Sequence, residues 1–161
     1  MFAVFAWIEQ TPLGIRVRED LYAFFVILNF NSLGMGFLVG AGMAICLRVL
    51  GVARSAPLEK FRDFFAAMSI GLAGSIVSGL LLLVGYPAKA LTNPVFAIKF
   101  AYLIGAALLM RAMVKRLFPV AAKGEALPDW GRPIAALALL LWAAGVTAGK
   151  FLPYAHHILR V

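Results

Sequence analysis

The chain has 161 residues, of which 63% are hydrophobic and 14% charged, and its mean hydropathy is +0.94. A soluble domain is about 45–50% apolar and about 25% charged, and a soluble chain this short cannot hide the excess in a core of its own, so lipid must solvate the remainder. The net charge of +8, from 15 Lys+Arg against 7 Asp+Glu, does not point to nucleic acid: the cations stand in short links beside apolar runs, where they set topology and meet anionic lipid.

The first segment, MFAVFAWIEQ, lacks the basic start and small-residue cleavage site of a secretory signal and is expected to be retained. Its Phe2, Phe5, Trp7 and Ile8 suit a membrane interface, and it is too short to span, so residues 2–10 are expected to lie as a helix on the membrane surface.

Crossing about 30 Å of hydrocarbon takes about 20 helical residues. Four runs qualify, over approximately 21–47, 64–86, 94–113 and 133–154; within the apolar stretches they carry, the first two hold no charge, the third holds Lys99 and the fourth Lys150. Backbone amides in hydrocarbon must be satisfied within the segment, which makes these runs helices. The links are short and contain Pro or Gly, which favours antiparallel neighbours. The expected fold is an all-α membrane protein, one integral domain over 1–161, with four transmembrane helices in an up-down-up-down bundle. Nine cations fall in the first and third links and five on the opposite side, with Lys99 set apart. The positive-inside rule then places those links in the cytoplasm and both termini outside.

Small residues recur at packing distance: Gly36 and Gly40 in the first span, flanked by Gly34 and Gly42; Gly71, Ser75 and Gly79 in the second; Gly145 and Gly149 in the fourth. Helices in lipid gain no hydrophobic free energy by meeting, so such residues matter because they let backbones approach. These faces serve either the bundle itself or a partner, whether another membrane subunit or a second copy.

Polar residues inside a membrane cost a few kcal/mol each and are the first functional clue. Here they are Asn29, Asn31, Lys99 and Lys150, followed by Tyr154, His156 and His157. All lie towards the same, external side. Asn31, Lys99, Lys150 and Tyr154 are therefore the candidate lining of a polar site for a quinone or haem b, although snorkelling lysines and interhelical amides account for them equally. No acidic residue lies within a span, which excludes a carboxylate proton relay, and no histidine does, which disfavours haem. Met43, Cys46, Met68, Met110 and Met113 fall in the opposite half; soft sulfur ligands suit Cu(I), and the same residues are ordinary core filler. No nucleophilic triad, phosphate loop or paired-cysteine motif marks an enzyme.

The stretches I8-E-Q-T-P-L-G-I-R-V-R-E-D-L21, S32-L-G-M-G-F-L-V-G40, N93-P-V-F-A-I-K99 and W142-A-A-G-V-T-A-G-K-F-L-P-Y154 resemble a bacterial family of four-helix inner-membrane proteins without assigned activity. That family is similar, distantly, to the membrane domain of copper-resistance protein D. Members of the four-helix family carry a histidine in an L-H-x-L-G pattern of the first span, and a wider resemblance links a first-helix histidine and a third-helix F-x-x-K lysine to the haem-dependent membrane protoporphyrinogen oxidase. Here F96-A-I-K99 matches the second feature, whereas Asn31 stands where the histidine would be. The departure implies a non-catalytic relative; together with packing faces in excess of catalytic groups and the N-terminal surface helix, it leads us to expect an integral subunit or anchor of a larger inner-membrane assembly, respiratory or otherwise electron-transferring.

Overall fold

The computed structural model describes residues 2–151, and 86% of those residues are helical, so the backbone amides are satisfied within segments as hydrocarbon requires. Two short helices come first, α1 (Phe2–Glu9) and α2 (Pro12–Glu19), followed by the long α3 (Leu21–Leu50), α4 (Phe64–Gly85), a one-turn α5 (Pro87–Leu91), α6 (Pro94–Ala122) and α7 (Gly131–Phe151). A 3-10 segment, Leu58–Asp63, leads into α4. The protein is thus an all-α, multi-pass membrane protein with four helices long and apolar enough to span.

Local chemistry fixes the helix ends. Thr11 accepts the Gly14 amide at 3.1 Å and Pro12 opens α2. Asp20 accepts the Tyr22 and Ala23 amides and caps α3. Asn93 accepts the Val95 amide at 2.9 Å, with Pro94 as the first residue of α6. These are side-chain caps for amides that have no partner inside the helix, with proline where its missing N–H costs nothing. α3 ends on Gly51, which adopts φ 108 and returns its amide to Arg48; that left-handed turn favours glycine.

The expected N-terminal surface helix is only part of what forms. α1 keeps Trp7 exposed, but the chain then turns at Thr11, and α2 folds back onto α3 and α4 with Val17 buried against Gly85. The apolar contact of Val17 outweighs a surface position for this second helix. The third span also runs past its expected end at 113, to Ala122. At 1.5 Å per residue α3, of 30 residues, and α6, of 29, are about 45 Å and 44 Å long, longer than the hydrocarbon is thick.

α3 packs between α4 and α7, and α6 packs on α7. The α3–α4 and α6–α7 links meet at one end of the bundle, where residues of both line a common cavity. At the other end Phe24 of α3 and Tyr86 beyond α4 meet edge-on, with ring centres 6.1 Å apart. The core is densest towards the two links. Ile45, Cys46, Met113, Leu117, Ala135, Ala138 and Trp142 are completely buried, whereas no residue of α3 before Gly34 is.

Candidate functional site

The small residues show how the helices meet. A Cβ added to Gly34 would lie 2.7 Å from Ser75 Oγ and 2.8 Å from the Gly71 carbonyl oxygen, and one on Gly71 would lie 2.6 Å from the Gly34 carbonyl oxygen. α3 and α4 therefore touch backbone to backbone. One on Gly42 would lie 2.7 Å from Trp142 Nε1, so α3 receives the indole of α7 in a glycine notch. Gly145 receives Leu103 in the same way and joins α7 to α6.

Gly36 and Gly40 do not take part in this packing. Nothing lies within 4 Å of a Cβ at either position, and both are exposed. The flanking pair Gly34 and Gly42 packs instead, because the helix rotation that seats Gly34 on Gly71 turns Gly36 and Gly40 outwards. Asn29, Leu33, Gly36, Gly40 and Leu47, at three-, four- and seven-residue steps, form one exposed stripe along α3.

The polar residues do not form one cluster. Asn31 lies at the α3–α4 contact, where a Cβ on Gly79 would be 3.3 Å from its Nδ2. No hydrogen bond reaches its amide among the described residues. Asn29 faces outwards and donates from Nδ2 to the Phe25 carbonyl oxygen at 2.8 Å. Lys99 belongs to the other helix pair: its stem lies along Gly149 of α7, where an added Cβ would be 3.3 Å from Cε and 3.6 Å from Nζ. Its ammonium sits 5.8 Å from the centre of the Phe100 ring. Lys150 is exposed, and Tyr154 lies outside the described residues. Of the expected polar set, the α6–α7 end thus gathers Lys99 and Lys150, while Asn31 stands on a separate contact.

The sulfur residues all belong to the core. Cys46, Met68, Met110 and Met113 are buried in one hydrophobic cluster with Trp142, and Met43 packs against it partly buried. They come from α3, α4 and α6 and share the cluster with Ile45, Val49 and Leu117. Groups of three or more His, Cys, Asp or Glu able to hold a metal are absent among the described residues.

Among the described residues two buried polar atoms have no hydrogen-bond partner, Ser75 Oγ, which belongs to the expected packing set, and Trp142 Nε1, which does not. Each is held against a glycine of α3, which shows that the close approach of the helices takes precedence there over satisfying a single polar group. Trp142 could have been flagged as the one tryptophan deep in a span, where an indole N–H needs a partner that an apolar run cannot offer.

Comparison with protein-family models, with curated proteins and with solved structures finds no match.

Proposed function

We propose that this protein is a non-catalytic integral subunit, or anchor, of a larger inner-membrane assembly, respiratory or otherwise electron-transferring, and that it docks through the outward stripe of α3. The supporting observation is the open Gly36–Gly40 surface. Glycine in a helix interior costs about 1 kcal/mol relative to alanine, and at Gly34 and Gly42 close packing with α4 and α7 accounts for it. At Gly36 and Gly40 nothing among the described residues does. In lipid such a notch serves the approach of another helix, and the Asn29 Oδ1, left free of the backbone contact made by Nδ2, supplies a polar group beside it. The occupant is a transmembrane helix of a different subunit with small residues facing the notch.

The resemblance described above supports the inner-membrane setting, and Asn31 in the place of a histidine supports a role without haem chemistry. The excess of cations in the first and third links supports cytoplasmic links and external termini. Purification from native membranes in mild detergent tests the reading. A membrane protein should co-purify in fixed proportion and be lost from the Gly36→Leu, Gly40→Leu double variant. A stable monomer without a partner overturns the proposal, and a self-associated species replaces the assembly with a homo-oligomer.

A second reading, copper handling, is supported by the presence of Cys46, Met68, Met110 and Met113 in one buried core cluster, with Met43 packed against it. Thioether and thiolate sulfur are the ligands Cu(I) prefers. Copper in the purified protein that disappears in a Cys46→Ser, Met43→Leu variant favours it; unchanged metal content removes it.

A further inference from the structure

The link end of the bundle holds a cavity of about 350 Å³, open to solvent, between the residues that follow α3 and those that precede α7. Three arginines, Arg48, Arg54 and Arg132, line it, with Asp129 as the single carboxylate in its wall. Among the described side chains the ion pairs within 4 Å are those of Arg18 with Glu9 and Glu19, so Asp129 forms no such pair with any of the three cavity guanidinia. Arg48 is held in place: its Nε donates to the Ala56 carbonyl oxygen at 2.6 Å and its Nη2 to the Arg54 carbonyl oxygen at 3.2 Å. Those bonds fold the link after Gly51 back over the end of α3 and bring Arg54 beside Arg48.

The depth of this cluster follows from the sequence. Arg48 is the first residue after the charge-free run that ends at Leu47, and Arg132 immediately precedes the apolar run that opens at Pro133. Both guanidinia therefore leave the hydrocarbon at headgroup level. Apolar wall is supplied by Val49, which is buried, and by Leu127, which packs on the core. Three guanidinia beside one carboxylate, against an apolar wall, fit a phosphate group, because the planar fork of arginine binds phosphate oxygens in pairs, and basic cavities at the ends of spans take lipid headgroups.

We propose that the Arg48–Arg54–Arg132 cavity binds a phosphate group, presented by an anionic phospholipid of the adjoining leaflet. The interaction is independent of the subunit reading and would hold for the isolated protein.

Native mass spectrometry of the detergent-solubilised protein, given phosphatidylglycerol or phosphatidylcholine, tests it. Phosphatidylglycerol should be retained in preference to phosphatidylcholine, and each of Arg54→Gln and Arg132→Gln should weaken retention about fivefold. Both side chains are exposed, so the fold should survive these changes. Arg111→Gln, an exposed position on α6 away from the cavity, should leave retention unchanged. Equal retention by wild type and the Arg54→Gln, Arg132→Gln double variant overturns the proposal, as does an equal loss with Arg111→Gln, which would show general surface charge. If a molar excess of inorganic phosphate displaces the lipid completely, the phosphate chemistry stands and the lipid assignment falls.

Discussion

Gly34 and Gly71 meet so closely that each occupies the space a side chain on the other would need: an added Cβ would come within 2.8 Å and 2.6 Å of the opposing carbonyl oxygen. The obstructing atoms are backbone and cannot rotate away. Gly34→Ala or Gly71→Ala must therefore push α3 from α4, at a cost of about 1–3 kcal/mol, as overpacking typically does. Gly36→Ala and Gly40→Ala, which meet nothing, should be neutral or gain up to about 1 kcal/mol from helix propensity. Unfolding of the four variants in a mixed-detergent titration checks the contrast.

The Gly42–Trp142 contact makes a second comparison. A Cβ on Gly42 meets the rigid indole at 2.7 Å, whereas one on Gly105 meets only the mobile end of Leu141 at 3.3 Å. Gly42→Ala should lower the thermal midpoint clearly and Gly105→Ala little. Near-UV circular dichroism should change for the first alone, because Trp142 is completely buried and its ring would have to shift.

Lys99 rests its stem on Gly149, as expected for a side chain that carries its charge along a neighbouring helix towards water. Lys99 is partly buried, and Lys99→Leu keeps an apolar side chain while removing the Cε that rests on Gly149 and the charge; its effect on stability should stay within about 1 kcal/mol. Chemical unfolding of the variant reads this out. A large loss would show that the ammonium has a partner and would favour a ligand at the α6–α7 end.

Cys46 is the only cysteine and is completely buried in the densest part of the core. A maleimide should leave the folded protein unlabelled for as long as the bundle persists and should react to completion after denaturation in hot dodecyl sulfate. Fast labelling of the folded protein would mean that α3 does not sit in the core as described.

The number, type and approximate limits of the long helices were legible because hydrocarbon leaves the backbone no alternative. Several helix starts were written in the sequence as well. Thr11–Pro12 and Asn93–Pro94, prominent within the stretches that carry the family resemblance, prove to be cap and first-turn pairs. Which face of α3 turns inwards was not legible. Residues on every side of a membrane helix are apolar, so hydrophobic periodicity offers no contrast, and Gly36–Gly40 reads as convincingly as Gly34 and Gly42. The choice is made by partners remote in sequence, Gly71 and Ser75 on one side and Trp142 on the other.

The candidate sites divide along the same line. Common depth in the spans was enough to anticipate that Cys46, Met68, Met110 and Met113 could meet. It was not enough for Asn31 and Lys99, which were expected in the same half of the membrane but face different helices. The arginines of the link cavity were visible one by one as topology signals; their convergence depends on the fold of the Gly51–Pro57 segment, held by Arg48.

The central claim, that α3 presents an unfilled docking face, is tested most directly by a photo-crosslinking residue placed at Gly36 or Gly40 in native membranes. A discrete adduct with another membrane subunit is predicted, together with none from the same probe at Leu140, an exposed apolar position on α7. Only lipid-labelled or unmodified protein from Gly36 and Gly40, indistinguishable from Leu140, would contradict it.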